Sequence, residues 1–77
     1  MNEQEFLKSN LDALRVPECD GYTATAYMTK DFLWLFDKVD GHLAWKYDRQ
    51  KKMVVYECEH VKLGKSIIFG PFKVKGS

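Results

Sequence analysis

Asp31-Phe32-Leu33-Trp34-Leu35-Phe36-Asp37-Lys38-Val39-Asp40-Gly41 is the stretch on which the fold turns. Read as a helix over residues 30–40, it takes Thr29 as its cap and Gly41 as its left-handed stop, and the chain becomes α-β-α-βββ. Read as a strand, it runs into Asp40-Gly41, a strong two-residue hairpin signal. Cross-strand arithmetic favours the strand. With Asp40-Gly41 as the loop, Phe36 opposes Trp45 and Trp34 opposes Tyr47. With 49–52 as the next loop, Tyr47 opposes Val54, Trp45 opposes Tyr56 and Leu43 opposes Cys58. Backwards across Thr29-Lys30-Asp31, Met28 opposes Phe32, Ala26 opposes Trp34 and Ala24 opposes Phe36. Four strands thus agree on one inner face, where each opposed pair adds about 0.2–1 kcal/mol. A slip of one residue would turn those side chains outward.

Upstream, the punctuation predicts a helix over residues 3–15. Asn2 caps it, Glu5 reaches back in a capping box, and Leu7, Leu11 and Leu14 form a stripe widened by Phe6 and Ala13. Arg15 suits the C-terminal end of the helix dipole and Pro17 stops the helix. Glu18-Cys19-Asp20-Gly21 reads as a turn, and Tyr22 to Met28 alternate with period two. A last strand is expected over 66–74, interrupted by Gly70-Pro71 and therefore placed at an edge. The expected fold is α+β: a single domain, 1–77, with the N-terminal helix packed on a curved, mainly antiparallel five-stranded meander.

The 77 residues are 45% apolar and 30% charged, an ordinary globular composition. So short a chain argues against an interdomain catalytic cleft, a dinucleotide-binding fold or a barrel enzyme. No apolar run approaches the ~20 residues of a membrane helix, and the acidic start, Glu3 and Glu5, is unlike a secretory signal. Two cysteines, Cys19 and Cys58, are too few for a secreted disulfide scaffold. These features predict a cytoplasmic protein without a membrane partner. The net charge of +1 conceals a split: residues 1–41 carry four basic and eight acidic side chains, residues 42–77 eight basic and three acidic.

Candidate chemistry is sparse. Cys58 and His60, with Cys19 and His42, make a Cys2His2 set on paper, but structural zinc sites use a close ligand pair at each end, and Cys19 and His42 stand alone. A Cys58/His60 nucleophile and base lack an orienting third group and an oxyanion hole. Glu57 and Glu59, across the ladder from His42, read as a solvated edge, and the glycines are isolated turn residues. Neither an enzyme, a metal nor a cofactor is expected.

Two surfaces remain. The face opposite the helix carries Tyr27, Leu33, Leu35 and Val55, more apolar surface than one helix can cover, which marks a protein interface. The expected function is therefore a small non-enzymatic adaptor or inhibitor-type module, of the kind phages and mobile elements encode. It would contact another protein or itself as a homodimer. The alternative is nucleic-acid binding through Arg49, Lys51, Lys52, Lys62 and Lys65, with the interleaved aromatics as stacking surfaces. A single arginine in the basic half and inward-facing aromatics favour the protein reading.

Overall fold

Asn2 and Glu5 do begin the first element. A computed structural model of the chain describes residues 1–21 and 23–58. In it the Asn2 side chain accepts from Glu5 N–H at 2.9 Å while Glu5 Oε1 accepts from Asn2 N–H at 3.2 Å, the reciprocal cap of helix α1, Glu3–Ser9. The helix is one short element, not the 3–15 span that the leucine spacing predicts. Asn10 closes it by donating its side-chain amide to Phe6 O at 2.9 Å. The chain then turns, with Ala13 N–H on Asn10 O, and Leu14–Arg15 becomes strand β1. Leu14 pairs with Met28 and Arg15 with Tyr27, so sheet pairing replaces the last turns of the expected helix. Leu11 and Leu14 are left 89% and 67% exposed.

Pro17–Cys19 forms a 3-10 turn, and the meander follows as β2 (Ala24–Met28), β3 (Phe32–Asp37), β4 (Leu43–Asp48) and β5 (Met53–Glu57). All neighbours are antiparallel and the order is β1-β2-β3-β4-β5. The deciding stretch is thus a strand, and the helical alternative over residues 30–40 is excluded. The described sheet has five strands, its first being β1; the strand expected over 66–74 lies outside the described residues.

Register departs from the sequence arithmetic by one or two residues, for local reasons, while Tyr47 opposes Val54 as expected. Thr29 N–H bonds Phe32 O, so the β2–β3 loop is Lys30-Asp31 alone and Ala26 meets Leu35, Tyr27 meets Trp34. The β3–β4 loop is four residues, 38–41. Asp37 Oδ1 accepts from Val39 N–H at 2.8 Å and Gly41, at φ 76°, closes the loop onto Asp37 O. Ala44 is then an extra residue on β4 between the pairs Phe36–Leu43 and Leu35–Trp45. A second bulge, at Val55 on β5, lies between the pairs Lys46–Tyr56 and Tyr47–Val54. The loop over 49–52 is as expected, with Asp48 Oδ1 accepting from Gln50 and Lys51 N–H and Lys52 at φ 56°. It repeats the first loop: an aspartate at the start, a left-handed residue at the end.

The slip divides the expected inner face in two. Phe6 of α1 lies among Tyr27, Trp34 and Phe36 on one side of the sheet, its ring centroid 5.7, 4.7 and 5.0 Å from theirs. Ala24, Ala26, Leu33, Leu35, Trp45 and Tyr47 form a second cluster with Val16 and Cys19. Trp45 and Tyr47, expected beneath the helix, belong to this second cluster and stack at 5.6 Å. Each sheet face therefore has its own core, one closed by the helix, the other joined by the segment after β1.

Candidate functional site

The register sets a single row of side chains across all five strands: Arg15, Tyr27, Trp34, Lys46 and Tyr56, each the partner of the next. Cations and rings interleave along it. The Arg15 guanidinium lies 5.6 Å from the Tyr27 ring, and the Lys46 ammonium lies 4.5 Å from Trp34 and 4.1 Å from Phe32. The Trp34 indole N–H donates to Thr29 Oγ1 at 3.0 Å. Phe6 covers the middle of the row, and Tyr56 at its end is 45% exposed.

At the β1 end the row is anchored by ions. Arg15 holds Asp20 through two hydrogen bonds, at 2.9 and 3.0 Å, and also donates to Ala26 O at 2.8 Å. Asp20 Oδ1 accepts in turn from Ala26 N–H. Burial pushes the Asp20 carboxyl up, but the hydrogen bonds from Arg15 and Ala26 and the Arg15 charge outweigh it and hold the group below its ordinary value. The Asp20 hydrogen bond raises Arg15 against the opposing effect of burial. Tyr27 donates to Glu3 Oε2, and its hydroxyl is pushed up to about 12, first by burial, then by that hydrogen bond and the Glu3 charge. The network ties α1, β1 and β2 together.

The four residues expected at a protein interface part company. Leu33 and Leu35 are fully buried in the cluster that Val16 and Cys19 join, and Tyr27 is nearly so on the other face, beside Phe6 of α1. No partner reaches those three without opening the sheet layers. Val55 alone is at the surface, 46% exposed on its bulge, between Met53 at 51% and Tyr56. The sequence pattern missed Leu11 and Leu14 as surface residues, because only the early end of α1 turns them out.

Of the expected basic set, Lys51 and Lys52 are exposed at the β4–β5 loop, whereas Arg49 is occupied. Its guanidinium donates to Thr29 O and Lys30 O at 2.9 and 3.0 Å, and its N–H to Asp31 O, with Gln50 Nε2 on Asp31 Oδ1 beside it. Arg49 fastens two neighbouring loops together. Lys62 and Lys65 lie outside the described residues.

Cys19 is buried and Cys58 half-buried, both as free thiols. Among the described residues no three His, Cys, Asp or Glu side chains gather as a metal site; His60 and Glu59 lie outside them. An open groove of about 410 Å³ runs between Met1, Asp37, His42, Ala44, Tyr56 and Cys58. Its two carboxylates are already engaged, Asp37 accepting from Val39 N–H and Asp40 from His42 N–H. Among the described residues no helix is long and apolar enough to cross a membrane. No protein-family model matches the chain, and no curated protein or solved structure matches it.

Proposed function

We propose that the chain is a non-enzymatic protein-binding module that makes contact through the margins of its sheet. The observation that carries this reading is the placement of five of the seven large exposed apolar side chains among the described residues, Met1 and Val39 being the other two. Met53, Val55 and Tyr56 lie on β5, and Leu11 and Leu14 lie in and beside β1, while the two sheet faces between them are filled by cores. Apolar side chains held out on strand margins, next to charges, are surfaces that a partner can desolvate. The bulge at Val55 and the two-residue length of β1 both discourage simple strand addition, so side chains rather than backbone carry the contact.

The test compares the full chain with its Val55→Glu and Leu14→Lys variants as immobilised bait in lysate of the cells that make it. A captured protein is then purified and titrated against the ¹⁵N- and methyl-labelled chain. Capture lost in one variant, with shift changes at the matching margin, supports the reading. Capture that is absent, or indifferent to both substitutions, overturns it. With Arg49 engaged within the fold, the nucleic-acid alternative keeps Lys51 and Lys52, while Lys62 and Lys65 lie outside the described residues. Binding of a fluorescent oligothymidylate at low salt that weakens steeply as salt is raised would favour it.

A further inference from the structure

Phe32 and Trp34, on the α1 face of the sheet, are two walls of a corner. Their rings meet at 66° with centroids 5.6 Å apart, and the Lys46 ammonium sits between them, 4.1 Å from Phe32 and 4.5 Å from Trp34. Among the described residues the one ion pair is Arg15–Asp20, so it is two ring faces, and no described carboxylate, that hold Lys46. We propose that this corner is a binding site for a quaternary ammonium group, with Lys46 as the built-in occupant that such a ligand displaces.

The walls are fixed without the lysine. Trp34 donates its indole N–H to Thr29 Oγ1 at 3.0 Å and has Phe6 packed against it at 4.7 Å, while Phe32 O accepts from Thr29 N–H. The occupant is movable, because the ammonium ends a flexible four-carbon stem and an exposed cation–π contact is weak. Phe32 and Lys46 are both half-buried, so the corner reaches solvent, and Trp34 gains a bare face when the lysine over it leaves. Asp48 is the cross-strand partner of Phe32, which puts its negative charge on the same face and favours a cation there. The chemistry favours exchange. A primary ammonium is compact and strongly hydrated. A quaternary one has no N–H to withdraw from water, and its methyl groups gain contact with both rings. Choline and the trimethylated side chain of a lysine share that group. The corner lies apart from Leu14 and Val55, so it stands or falls independently of the margin contacts.

NMR titration of the full isotope-labelled chain with choline chloride tests it, with sodium chloride at equal ionic strength as blank and dimethylbutanol as the uncharged carbon analogue. The expected result is a saturable shift of the Trp34 indole N–H and the Phe32 ring, with a Kd on the order of 10 mM. The Trp45 indole, in the other cluster, is the internal reference. Lys46→Ala is expected to tighten binding about two- to fivefold, because no cation of the chain's own has to be expelled. Phe32→Leu removes a wall and is expected to abolish the shift at Trp34. Amide spectra establish that each variant is folded; should Phe32→Leu not be, Lys46→Ala and the dimethylbutanol comparison decide alone. A trimethyllysine peptide identifies the source: tighter binding than choline points to a partner's side chain, weaker binding to a small molecule, and either supports the site. No saturable shift in the wild type and in Lys46→Ala overturns the inference. Dimethylbutanol binding as well as choline also overturns it, as does choline binding that Lys46→Ala fails to tighten or that survives Phe32→Leu in a folded chain.

Discussion

Lys52 and Gly41 occupy equivalent left-handed positions at the ends of two similar loops, with opposite consequences for substitution. A side chain in that conformation costs roughly 1–2 kcal/mol, and glycine returns part of the gain through its freer unfolded chain. Lys52→Gly is therefore expected to stabilise the fold by about 0.5–1 kcal/mol. Gly41→Ala should cost about 1 kcal/mol from backbone conformation, because an added Cβ there meets no atom within 4 Å. Urea denaturation of the two variants checks both signs. Tyr27 yields a prediction in pH. Its folded value near 12 lies above the ordinary 10, so its contribution is intact below pH 10 and disappears as pH rises from 10 to 12. Tyr27→Phe should cost about 1–2 kcal/mol at neutral pH. That gap should close across the alkaline window, as read from denaturation curves of both proteins. A constant gap would remove the Tyr27–Glu3 bond from the account.

At the scale of elements, the short helix makes a sharp contrast testable. Phe6 sits among three rings and is fully buried, so Phe6→Ala should cost about 3–5 kcal/mol and undock α1. Leu11, two residues beyond the helix and in solvent, should tolerate Ala within about 0.5 kcal/mol. Equal losses at both positions would mean a longer helix with its leucine stripe buried. The cap that starts this helix was legible because Asn2 and Glu5 interact across three residues. Its end was not, because the competing pairing of Leu14 and Arg15 with β2 is a contact across a dozen positions. The strands were legible from alternation and turn residues, and the 49–52 loop from its composition. Register was not, since Asp37 uses its own side chain to build a longer loop and the Ala44 bulge then offsets the count. Leu33 and Leu35 followed that error from surface to core, while the exposure of Val55 depended on its own bulge.

For the molecule as a whole, charge and apolar content take on a geometry. Among the described residues the acidic half of the sequence supplies α1 to β3 and the basic half β4 and β5. The apolar residues that seemed too many for one helix to cover fill a second cluster that includes Val16 and Cys19. The strand β3 alternates between the two clusters: Leu33 and Leu35 in one, Trp34 and Phe36 in the other. Fraying of β1, or release of α1, opens one layer and leaves the other holding the central strand. The amides of β3 should accordingly exchange with solvent deuterium only through global unfolding, while those of β1 and α1 exchange through smaller openings of lower free energy. Denaturant should then accelerate the slow amides of β3 with the full unfolding slope and the fast amides of α1 hardly at all. The strand whose assignment decided the fold would be the last part of it to come apart.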